Sequence, residues 1–155
     1  MVRVVRVPHA QLALLALLAA CAAPPAQAQT VTATTELAFG RFAANGGGTI
    51  TVGANHAKPT TTGAVVLLTS STSPATFSVT SPTNQQMIIT LPPDGSAALV
   101  SGSARMPLNA FISSRPNGIL SNPRQAFTVG ATLQVGPNQP GGAYSGAFHI
   151  TVEYQ

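Results

Sequence analysis

Apolar residues in this chain recur at every second position, in short runs closed by glycine, proline, asparagine or serine. Period two sends successive side chains to opposite faces of an extended strand, so each run has one face to bury and one to leave in water. The first run, "VTATTELAF" at 31–39, sets Val31, Ala33, Thr35, Leu37 and Phe39 against Thr32, Thr34, Glu36 and Ala38. The longest, "AFTVGATLQV" at 126–135, puts Phe127, Val129, Ala131, Leu133 and Val135 on one face. Gly130 within it marks a bulge or a close backbone approach.

Between these lie "TITV" (49–52), "AVVLLT" (64–69), "ATFSVT" (75–80), "QMIITL" (86–91), "SAALVS" (96–101) and "MPLNAFIS" (106–113). The spacing predicts about nine strands. "NGGG" at 45–48 reads as a turn, "GANHAKPTTTG" at 53–63 as a loop, and "PPDG" at 92–95, "SRPNGILSNPR" at 114–124 and "GPNQPGG" at 136–142 as breakers. Pro107 marks 106–113 as an edge strand, because proline cannot donate to a ladder. No helical repeat of useful length appears, so the expected fold class is all-β, a sandwich forming one domain over residues 29–155.

Residues 1–28 are of another kind. Arg3 and Arg6 precede an apolar stretch over 12–23, then small residues, the pattern of an export signal. The stretch is shorter than the roughly 20 residues a spanning helix needs. Two cleavage points compete. Ala26 and Ala28 before Gln29 satisfy the ordinary signal peptidase rule, with Pro24 and Pro25 ending the apolar helix just upstream. "LAAC" at 18–21 resembles the bacterial lipobox, which implies lipidation of Cys21 and an outer-membrane lipoprotein. The spacing and the proline break favour the ordinary site, and with it export to the periplasm, the cell surface or the medium.

Cleavage after Ala28 leaves 155 − 28 = 127 residues and no cysteine, since Cys21 is the single one. A domain of that size buries enough surface to need no disulfide. Its charges are Arg41, Lys58, Arg105, Arg115 and Arg124 against Glu36, Asp94 and Glu153, a net of 5 − 3 = +2. The basic balance thus reflects scarcity of charge and not a basic patch, which argues against nucleic acid as a partner. Such a surface resists self-association weakly.

The last run, "GGAYSGAFHITVEYQ", places Phe148, Ile150, Val152 and Tyr154 on one face and His149, Thr151 and Glu153 on the other. Burying the four contributes about 6–12 kcal/mol gross, so the run reads as core. Gly142 stands thirteen residues before Gln155 and Tyr154 is penultimate. This arrangement resembles the C-terminal motif of chaperone–usher pilus subunits, incomplete immunoglobulin-like domains that receive a missing strand from a chaperone and then from a neighbour. "LAFGRF", "GTITV", "GAVVLL", "ATFSVT", "ITLP" and "VGATLQVGPNQPGGAYSGAFHITVEY" together resemble the bacterial domain-of-unknown-function family numbered 4402, whose members are similar to pilin-like secreted β-domains. The resemblance implies an immunoglobulin-like sandwich and no particular activity. Against the pilin pattern, the common cysteine pair is absent, and cleavage after Ala28 leaves only residues 29–36 before "LAFG".

Residues suited to chemistry are sparse. Serine and threonine abound, yet no Gly-x-Ser-x-Gly elbow occurs. His56 falls in a polar loop and His149 on the outward face of the last strand. Three carboxylates are too few for a convincing calcium site, and "NGGG" lacks the lysine of a phosphate loop. Without tryptophan a carbohydrate-stacking platform is poorly supplied.

The expectation is therefore a non-enzymatic exported structural protein with no cofactor, a subunit of a fimbria-like appendage or coat assembled by β-strand complementation. Gly142, Phe148, Ile150, Val152 and Tyr154 form its assembly strand. Val31, Ala33 and Thr35 are donor positions toward a second copy, with a periplasmic chaperone as another partner. The alternative is a self-complete monomeric adhesive or ligand-binding module, soluble or lipid-anchored.

Overall fold

The structure, a computed structural model, describes residues 30–69, 71–80, 87–115 and 124–154, the last without the Tyr154 side chain. The export signal, its cleavage residues Ala26, Ala28 and Gln29, Cys21, and most of the 114–124 breaker lie outside the described residues.

Eleven strands and no helix occur among the described residues: β1 (Thr30–Thr35), β2 (Ala38–Phe39), β3 (Phe42–Val52), β4 (Thr60–Leu67), β5 (Thr72–Ser73), β6 (Ala75–Thr80), β7 (Met87–Thr90), β8 (Ala97–Ser101), β9 (Ala104–Ser113), β10 (Arg124–Val135) and β11 (Thr151–Tyr154). The fold is all-β, as the alternation requires, and its strand pairings are antiparallel.

A seven-stranded sheet runs β1-β6-β10-β3-β4, and β9 flanks β10 and carries β8 beyond it. Along β10 the first half pairs with β6, the second half with β3, and β9 occupies the opposite edge. Two small sheets, β2-β5 and β7-β11, complete the architecture. The buried face of β10 is the one its alternation marks. Phe127 and Val129 join Ala75, Val79 and Met87 in one apolar cluster. Ala131, Leu133 and Val135 join Ile50, Val52, Met106 and Leu108 in another.

Four local readings are corrected. "NGGG" is no turn: β3 runs through it, and its register with β4 shifts between Ala44 and Gly48. Gly47 and Gly48 take φ of 84° and 153°, and a Cβ on Gly48 would lie 2.0 Å from the Thr62 carbonyl oxygen. Only glycine permits that conformation at that separation, so the four residues form a bulge inside a long strand. The loop after β3 is accordingly shorter than expected, since residues 60–63 are already strand β4.

Pro107 does not mark an edge. β9 pairs with β8 on one side and β10 on the other, and Pro107 stands opposite Ala98. The β10 ladder stops at Leu108, one residue short of the proline, so an inner strand tolerates it at a ladder's end. The run at 31–39 is likewise two strands, because the chain leaves one sheet for another at residues 36–37.

Gly130 behaves as read from sequence: a Cβ there would meet the Val52 carbonyl oxygen at 2.1 Å. The β9–β10 bulge nearby is on β9, where Ala110 takes φ of 47° and its N–H donates to Asp94 Oδ1 at 2.7 Å. These two positions predict opposite effects in urea unfolding. Gly130→Ala lowers stability by about 1–3 kcal/mol through overpacking. Ala110→Gly relieves a left-handed alanine and raises it by about 0.5–1 kcal/mol, net of glycine's extra chain entropy.

Candidate functional site: an open cleft beside the C-terminal strand

Only four residues of the expected C-terminal run form a strand. β11 pairs with β7 in the register Thr151↔Thr90, Val152↔Ile89, Glu153↔Ile88 and Tyr154↔Met87. Upstream, Ser145 makes a single bridge to Val100, their N–H and C=O groups exchanging bonds of 2.8 and 3.1 Å. Among the described residues, 146–150 pair with no strand.

The alternation survives without full burial. Phe148, Ile150 and Val152 are half-buried against the core, whereas His149, Thr151 and Glu153 are exposed. Phe148 is the anchor, its ring 5.2 Å from Phe111 and 6.2 Å from Phe77, between centroids. It packs on both apolar clusters. The side chain of Tyr154 falls outside the described residues. This segment is therefore apolar on its inner face, attached on one edge, and covered less than a core strand.

Beside it lies a cleft of about 1300 Å³. Residues 35–45 line it on one side and residues 139–148 on the other, and it reaches down to the buried Met106 and Leu108. Glu36 and Arg41 are its charged lining residues, both exposed. β2 pairs on one edge, with β5, and Arg41 continues that edge by accepting from the N–H groups of Leu68 and Thr69.

Glycine and a tyrosine shape the second rim. A Cβ on Gly146 would lie 2.1 Å from the Ala98 carbonyl oxygen, and one on Gly142 would lie 2.9 Å from Ser101 Oγ. Both glycines let the C-terminal segment lie close against β8. The Tyr144 hydroxyl accepts from Gln139 Nε2 at 2.9 Å and donates to the Pro140 carbonyl at 2.7 Å, tying the loop into a latch. Sequence reasoning missed Tyr144. Its signal was an aromatic residue set among the glycines and prolines of a turn-rich stretch.

The positions expected to donate a strand are in β1. Val31 pairs opposite Val79 and Ala33 opposite Phe77, so both present their side chains on the sheet's inner face. All six residues of β1 are nonetheless exposed, Val31 by 41%. Ala33 and Thr35 also line the cleft, which therefore begins where β1 ends.

The residues weighed for chemistry stand apart. Among the described residues no three of His, Cys, Asp and Glu come together as a metal site would require. His56 and His149 are exposed, Asp94 secures the β9 bulge, Glu36 is exposed in the link between β1 and β2, and Glu153 is exposed on β11. Among the described residues no helix is long and apolar enough to cross a membrane.

The family model of a domain of unknown function, DUF4402, matches residues 30–154. No curated protein and no solved structure matches the chain.

A half-attached C-terminal segment has a measurable consequence. In hydrogen exchange of the purified chain, the amides of residues 146–150 exchange about as fast as in an unstructured peptide, while those of β10 exchange only on global unfolding. Equal protection of both would show that the segment is paired along its length.

Proposed function

The chain belongs to the DUF4402 family, and on that premise we propose that it is an exported structural subunit of a fimbria-like surface appendage or coat, assembled by β-strand complementation. The supporting observation is the cleft of about 1300 Å³ between residues 35–45, whose strand β2 pairs on one edge only, and residues 139–148, held to β8 by the single bridge at Ser145. An added strand there gains main-chain hydrogen bonds along its edges and buries apolar side chains at alternate positions. It also covers Phe148, which lines the cleft and is left half-buried without it.

In this reading the immunoglobulin-like domain is completed in trans. Gly142, Phe148, Ile150, Val152 and Tyr154 form the accepting strand. Val31, Ala33 and Thr35 are the donor positions on a second copy, and a periplasmic chaperone fills the same cleft before assembly. The scarcity of charge, 6% of the chain, suits close packing of many copies. The role is structural, with no catalysis and no cofactor.

A second reading draws on the pairing of β1 with its own β6. A domain that keeps that strand is a self-complete monomeric adhesive or ligand-binding module, soluble or held through a lipidated Cys21, and the cleft is then its ligand site.

Native surface protein run on a denaturing gel with and without boiling separates the two. Strand complementation gives a ladder of multimers that collapses to monomer on boiling; monomer alone in both lanes sinks the assembly reading. Replacing Val31 and Ala33 together by Asp removes the ladder, because each carboxylate would lose water against the apolar floor at Met106 and Leu108. A ladder unchanged by that double substitution excludes these donor positions.

A further inference from the structure

Strand β1 gains little from its place. It forms the outer edge of the large sheet through five residue pairs with β6, and its register slips between Ala33 and Thr35. None of its six side chains is buried, although Val31 and Ala33 are on the sheet's inner face. What holds it is main-chain pairing and one bond from Thr34 Oγ1 to the Thr76 carbonyl, without the apolar burial that fastens Ala75 and Val79 on β6. An edge strand of this kind is cheap to remove. It also shields β6, whose bare edge would otherwise offer unpaired N–H and C=O groups to any passing strand.

We propose that β1 is a parked donor: in the free chain it caps the outer edge of its own β6, and on assembly it leaves that edge to fill the cleft of a second copy. This deepens the strand-complementation reading and rests on it. Three features of the chain select this occupant. β1 carries no charge, so it enters the apolar cleft without leaving an ion unpaired. Its six residues are close in number to the seven, 38–44, that line the cleft along this rim. Its point of departure is already at the cleft, because Ala33 and Thr35 line it and residues 36–37 join β1 to the rim strand β2. Parking couples two events: as β1 departs, the β6 edge is bared, so assembly is gated by how readily β1 peels away. Exchange of an identical element between copies is a low-cost route to association.

The pairing suggests its own test. Thr32 and Ser78 face each other across β1 and β6 on the outward side of the sheet, at a separation typical of strand partners and within the range a disulfide spans. The mature chain is expected to contain no thiol of its own, since the single cysteine is Cys21. The double variant Thr32→Cys, Ser78→Cys therefore locks β1 in place when oxidised and frees it when reduced. Thr49→Cys, Thr62→Cys serves as the control: its hydroxyls are 2.7 Å apart, and it bridges β3 to β4 in the same sheet while leaving β1 free.

The expected result is a multimer ladder from the control in both states and from the β1-locked protein only after reduction. A ladder from the oxidised, fully bridged β1 variant overturns the inference and leaves strand complementation standing with another occupant. No ladder from any protein, wild type included, overturns complementation and the inference together. Should the cysteines themselves block assembly, hydrogen exchange on the unmodified protein decides. Amides of residues 75–80 that face β1 lose protection on assembly if β1 leaves; protection retained in the multimer overturns the parked donor.

Discussion

Strand β10 places the rest of the large sheet, directly or through one neighbour. It pairs with β6, β3 and β9, and through them β1, β4 and β8 are held. Its inner face supplies Phe127 and Val129 to one apolar cluster and Ala131, Leu133 and Val135 to the other. A single strand thus links both halves of the core. Gly130 sits at the join, where a side chain would strike the Val52 carbonyl. A close backbone approach at this point lets one strand change partners from β6 to β3 without opening a gap between them.

Away from β10 the structure becomes progressively less closed. The C-terminal segment crosses from β8 to β7, touching each at one end and leaving 146–150 unpaired between. Phe148 holds this stretch against Phe77 and Phe111, and the Tyr144 latch fixes the loop before it. The cleft follows from that geometry, since β2 is paired on one edge only and the facing segment is held by the single bridge at Ser145. β1, the first of the described strands, is paired but uncovered. An uncovered strand and an uncovered cleft in one small domain are complementary deficits, and this is why assembly is the favoured reading over a ligand site.

How far the chain could be read in advance depends on the kind of interaction that places each residue. The inner face of β10 was legible because burial of alternate side chains is written directly into the order of residues. Likewise the inward positions Phe148, Ile150 and Val152 were correctly separated from His149, Thr151 and Glu153, yet their half-burial was not foreseen. How much of a face is covered depends on the layer opposite, and that layer is made by distant residues. "NGGG" reads locally as a turn, but glycine serves equally in a bulge, and the partner strand chooses between them. Pro107 signals an edge only under a rule that concerns one ladder, whereas β9 has two and the proline escapes one of them.

Residue order alone carried the all-β class, the inward-facing side of each alternating run, the scarcity of charge and the resemblance to DUF4402. These are properties of neighbouring residues, and side-chain transfer from water acts on them whatever the topology. Only the tertiary structure decided that the first run divides at residues 36–37, that the last is paired over four residues alone, and that a cleft separates them. Those outcomes depend on which backbone edges find partners, and pairing between strands far apart in sequence leaves no local periodicity to read.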